Sequence, residues 1–240
     1  MEGNPYSCGH TWASDIPGHP GNSVFNPAIG EFAGNDDAVI MKFAANNKQL
    51  VWATYYAGSI PAMAGSYAQT EAQKLALGAN TPYVFAVGTT NCMDFAALAR
   101  SFTPFSNAVQ EVYMGGQHRM WVGAFREYDG RCDWATTHGQ MNGYTWKEEG
   151  LSIAVDASAG VAVGGRLVGN APDFEAVTPA GAFRRPTGGA FVVLFEPLNY
   201  TILWASASGG HPLPGQPPHT QVSDMRFVKK DGPLNCGSPA

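Results

Sequence analysis

Three tryptophans in this chain sit in one local frame. Trp52, Trp134 and Trp204 each open a Trp-Ala-Thr/Ser triplet, and Phe43, Phe125 and Phe195 lie nine residues upstream of them. The segments are AVIMKFAANNKQLVWAT (38–54), MWVGAFREYDGRCDWAT (120–136) and AFVVLFEPLNYTILWAS (190–206). Four residues after each Phe comes Asn47, Asp129 or Asn199, the residue types that enter positive φ most readily after Gly. Each copy therefore reads as a strand, a tight turn and a second strand, a β-hairpin. A fourth triplet, Trp12-Ala13-Ser14, carries the same letters without an upstream strand.

Side chains along a strand alternate between faces. Leu50, Trp52 and Thr54 are then expected on one face, with Val51, Ala53 and Tyr55 on the other. Both sets include apolar groups, so these strands are expected inside a stack of sheets. Two further stretches match each other, KLALGANTPYVFAVGTTNCMDF (74–95) and LSIAVDASAGVAVGGRLVGNAPDF (151–174), pairing Ala86-Val87-Gly88 with Ala162-Val163-Gly164. Each adds a second hairpin, which makes a unit of four strands, and VSDMRFVKK (222–230) reads as a shortened form of the same step. Trp spacings of 40, 82 and 70 residues put the variation in the loops. A blade of four short strands needs about 40 to 50 residues.

In this order and at these offsets, DAVIMKFAANNKQLVWATYYAGS (37–59) followed by LALGANTPYVFAVGTTNCMDF (75–95) resembles the bacterial SBBP-type β-propeller repeat family. Units two and three are similar. The resemblance implies an all-β, propeller-like array of four-stranded antiparallel blades, about four of them, in a closed or incomplete ring. It implies one domain over 1–240, with units at 1–33 (partial), 34–96, 119–175 and 188–230, an insertion at 97–118 and a Pro-rich loop at 211–219. Closure would mix strands from the two ends of the chain, with a Cys8–Cys236 clasp.

The four cysteines, Cys8, Cys92, Cys132 and Cys236, are far apart and lack CxxC spacing, which argues against a zinc knuckle. Two disulfides and four buried thiols both remain open as readings. The start, MEGNPYSCGHTW, lacks a basic region followed by an apolar run, so no secretory signal is expected in the chain as it stands. With 14% charged residues and a net charge of −5, there is no basic field for nucleic acid. The apolar runs are too short to span a bilayer.

Reactive constellations are scarce. The six histidines form no metal-type His pair in sequence, and His138, after WATT, reads as a loop residue or as one facing a central channel. There is no nucleophile elbow, P-loop or dinucleotide fingerprint. Asp36-Asp37, Asp129 with Asp133, and Glu148-Glu149 are acidic groups. They lack the spaced ligands of a calcium loop, so no cofactor is expected, with Ca²⁺ as the alternative. Asn199-Tyr200-Thr201 is a glycosylation sequon. The expected function is a non-enzymatic structural or interaction scaffold, partnered by proteins in a larger extracellular or cell-surface assembly. The alternative is a ligand- or carbohydrate-binding propeller, since fold alone does not decide function.

Overall fold

The computed structural model of the chain describes residues 3–13, 36–61, 65–78, 80–95, 118–138, 147–170, 187–196, 202–208 and 221–227. Asn199, Cys236, the loop 211–219 and the insertion up to residue 117 lie outside these. Every regular element among the described residues is a β-strand. They are β1 (Tyr6–Thr11), β2 (Asp37–Phe43), β3 (Leu50–Tyr56), β4 (Thr70–Leu77), β5 (Tyr83–Thr90), β6 (Arg119–Arg126), β7 (Cys132–His138), β8 (Lys147–Val155), β9 (Val161–Asn170), β10 (Thr187–Phe195) and β11 (Ile202–Ser208). They form three antiparallel meanders: β1-β2-β3, β4-β5-β6-β7 and β8-β9-β10-β11. About four four-stranded units were expected. The described residues give three sheets, the first of which has three strands.

The Trp hairpins share one register. Lys42 pairs with Trp52 and Phe43 with Leu50; Ala124 pairs with Trp134 and Phe125 with Cys132; Leu194 pairs with Trp204 and Phe195 with Ile202. One residue is skipped each time, Val51, Asp133 or Leu203, so all three hairpins carry a bulge at the same step. The bulge overturns simple alternation at one point. Leu50 pairs with Phe43 and so lies on the face opposite Trp52, which pairs with Lys42.

The turns of the first two hairpins are equally alike. Lys48 N–H donates to the Ala44 carbonyl and Gly130 N–H to that of Arg126, each at 2.9 Å. Asn47 and Asp129 accept from the backbone two residues ahead, at 3.1 Å in both cases. Positive φ falls one residue later than the sequence suggests, at Lys48 (54°) and Gly130 (73°). Asn and Asp serve here through their side chains, as Asx turns.

The second hairpins repeat as well. Ala72 pairs with Gly88 and Lys74 with Val87, while Gly150 pairs with Gly165 and Ser152 with Gly164. Gly88 is therefore level with Gly165, one residue away from the match by letters. Both are obligatory glycines, because a Cβ on either would overlap the carbonyl of Glu71 or Glu149 across the bulge.

The second sheet is the middle layer. One core cluster joins its Trp121, Phe125 and Cys132 to Ile40, Trp52 and Tyr56 of the first sheet. The other joins its Phe85, Val122 and Trp134 to Val163, Phe191 and Phe195 of the third. The Phe face of each sheet thus looks back along the stack and the Trp face looks forward. Apolar residues on both faces follow from burial on both sides.

Candidate functional site

Each repeat tryptophan is best understood by what stands in front of it. Trp52 is 1% exposed and its indole N–H donates to the Glu127 carbonyl at 2.9 Å. Glu127 lies in the β6–β7 turn of the next sheet and also receives Lys42 Nζ at its carbonyl (2.9 Å) and the Tyr6 hydroxyl at Oε1 (2.9 Å). Three strands of one sheet thus grip one residue of the next. Trp134, also 1% exposed, meets Phe195 edge-on with centroids 5.7 Å apart. Such a pair is worth roughly 0.5–1.5 kcal/mol beyond the area it buries. Trp204 holds the same register and is 40% exposed. Trp12 does not share that register; it follows β1, which occupies the second-strand position, and is 64% exposed.

The junctions between sheets repeat a polar arrangement. Asp36 forms a parallel bridge with Gln69, and His118 one with Lys147. The Asp36 carbonyl accepts from Thr70 N–H at 2.7 Å, and the His118 carbonyl accepts from Glu148 N–H at 3.1 Å. Thr70 and Glu148 hold equivalent places, as do Glu71 and Glu149 one residue on. The Glu71 carbonyl, at the bulge, is held by the Trp121 indole N–H at 2.9 Å.

At the first junction His10 Nδ1 lies 2.7 Å from Asp36 Oδ1, and donor atoms of His10, Asp36 and Glu71 all fall within 4.8 Å of one another. Glu71 also accepts from the Gln73 amide at 2.9 Å. Asp36 is buried and His10 is exposed. Among the described residues this is the group able to share one ion. Sequence reading singled out Asp36 but missed its companions. The three come from positions 26 and 35 residues apart on separate elements, and only the register of the repeat could have brought them together.

The second junction is more cationic. A cavity of about 230 Å³ is lined by Glu71, Gln73, Thr89, His118, Lys147, Glu149 and Leu151. Glu149 is ion-paired with Arg166. Burial first, and then the Lys147 charge, hold the His118 imidazole below its ordinary value, with Glu149 pulling the other way.

The remaining expected groups have structural partners. Asp133 binds Arg126 Nε at 2.7 Å and the Tyr83 hydroxyl at 3.0 Å. Asp129 sits within 4.0 Å of both Arg126 and Arg131. His138 is the buried last residue of β7, not a loop residue, with Nδ1 2.7 Å from Glu148 Oε1.

Cys8, Cys92 and Cys132 are free thiols, so of the two readings left open by the sequence these three follow the one without disulfides. Cys92 follows the end of β5, whereas Cys132 starts β7 at the opposite end of the same sheet. At about 3.3 Å per residue, that separation is far beyond the Cα spacing of about 4.4–6.8 Å that a disulfide needs.

Neither the scan against protein-family models nor the search of curated proteins returns a match for this chain. No helix among the described residues is long and apolar enough to cross a membrane.

Proposed function

We propose that the chain is an arc of an SBBP-like β-propeller that acts without catalysis, as a rigid interaction scaffold in a larger extracellular or cell-surface assembly. One observation carries this reading: Trp204, in the register of two fully buried tryptophans, is 40% exposed. Trp52 and Trp134 show what such a residue packs against, namely the hairpin of a following sheet. The partner that suits Trp204 is therefore another β-sheet.

A second feature agrees. On the second sheet, Gly150 of β8 packs against Val87 and the Gly88 carbonyl. On the third sheet, Val222 and Met225 lie against Gly164, which is level with Val87, and Val222 N–H donates to the Gly165 carbonyl at 3.2 Å. Residues 221–227 thus occupy, on the third sheet, the place that β8 takes on the second. They read as the first strand of a further blade, while among the described residues the first sheet has no strand in that position. Propellers close by such mixing of strands, and a ring of four to eight blades is usual.

The test is the native mass by light scattering of protein purified from its source, with co-eluting partners identified. A complex that Trp204→Glu returns to a compact species near 25.4 kDa is expected. A wild-type monomer of that mass would overturn the scaffold reading.

The cleft at the second junction favours the alternative, a ligand-binding propeller. Its described lining is mostly polar and charged and holds no Phe, Tyr or Trp, which suits a small polar ligand better than stacking on a sugar face. A glycan array with no binder counts against the carbohydrate form of that reading.

A further inference from the structure

We propose that His10, Asp36 and Glu71 form a binding site for one divalent first-row transition cation, of the Zn²⁺ or Mn²⁺ kind, at the junction of the first and second sheets. The donor set is one imidazole and two carboxylates from three separate elements: β1, the residue before β2, and β4. Their donor atoms lie within 4.8 Å of each other. Imidazole with carboxylate suits Zn²⁺ and Mn²⁺, whereas Ca²⁺ takes oxygen ligands.

The fold supplies an internal comparison. Thr89, His118 and Glu149 stand at the second junction where His10, Asp36 and Glu71 stand at the first. There the protein provides its own positive charge, since Arg166 pairs with Glu149. At the first junction the place of Arg166 opposite the glutamate is taken by Thr89, which pairs with Glu71 in register. Glu71 has the Gln73 amide as its side-chain partner and Asp36 has His10. A carboxylate as buried as Asp36 normally needs a charge partner or a metal. Two carboxylates with one imidazole leave negative charge that a cation would neutralise.

Both ends of the site are already held. The parallel bridge from Asp36 to Gln69 joins the two sheets beside it, and the Trp121 indole fixes the Glu71 backbone. His10 is exposed, so an ion enters from solvent and keeps water in its remaining positions. An ion bound at Nδ1 takes the place of the hydrogen bond between His10 Nδ1 and Asp36 Oδ1, and the ligand atoms must carry no proton. Affinity therefore falls as the solution is acidified.

The experiment is isothermal titration of the full chain with ZnCl₂ and with MnCl₂, and with CaCl₂ for comparison, near neutral pH. One ion per chain is expected for Zn²⁺ or Mn²⁺, with affinity above that for Ca²⁺. Glu71→Gln and His10→Gln, each checked by circular dichroism for an unchanged fold, should weaken it by about tenfold or more. Cys8→Ser should leave it unchanged, which separates this site from thiol binding. No uptake of either ion by the wild type at about 1 mM, equal binding by both folded variants, or a preference for Ca²⁺ would each overturn the assignment.

Discussion

Lys48 and Gly130 occupy one position in two superimposable turns, and they make opposite demands on the chain. Lys48 holds φ at 54°, a region where a side chain is strained and glycine is not. Lys48→Gly should therefore stabilise the fold or leave it neutral. Gly130, at 73°, would also push a Cβ to 2.7 Å from the Trp52 ring. Gly130→Ala should cost about 1–3 kcal/mol, and urea midpoints at constant m-value would show both effects. An equal response of the two positions would contradict the shared geometry. At this scale the sequence was partly legible. The Asn and Asp marks located the turns, but letters do not distinguish a residue that adopts positive φ from one that caps the residue that does.

Hairpins were legible because a bulge beside a constant Phe–Trp pair imposes the same offset wherever it recurs. What joins hairpins was not, since cross-strand glycines and bridge residues lie far apart in the chain. His118 belongs to this hidden layer. It starts the bridge that ties the second sheet to β8, and burial with the Lys147 charge holds its imidazole below the ordinary 6.5. The unfolded chain then takes up a proton first as pH falls through that value. The His118 contribution to stability is complete above it and declines below. His118→Gln should flatten the stability curve between about pH 7 and about pH 5, read from urea midpoints across that window. A slope equal to wild type would remove His118 from the account.

Across the whole molecule, the buried thiols report on how the layers hold together. Cys92 and Cys132 are fully buried in the cluster shared by the first two sheets, and burial raises both thiols, Cys132 well above its ordinary range. Neither should react with iodoacetamide at mildly alkaline pH except through unfolding, so the two should label at one common rate that rises with urea. Faster labelling of one alone would mean that the two sheets part before the chain unfolds. The all-β class and the layered burial were readable from apolar residues on both faces of each strand. The strand count and the free thiols were not, because both depend on which ends of which strands meet. The sequence unit and the sheet are also out of step by one hairpin: 34–96 holds β2 to β5, yet β4 and β5 belong to the next sheet. Gene duplication or loss of one such unit would therefore transfer half of one layer together with half of its neighbour. Every interior layer would stay whole, and a lineage could lengthen or shorten the stack without passing through an ancestor that exposes a torn sheet.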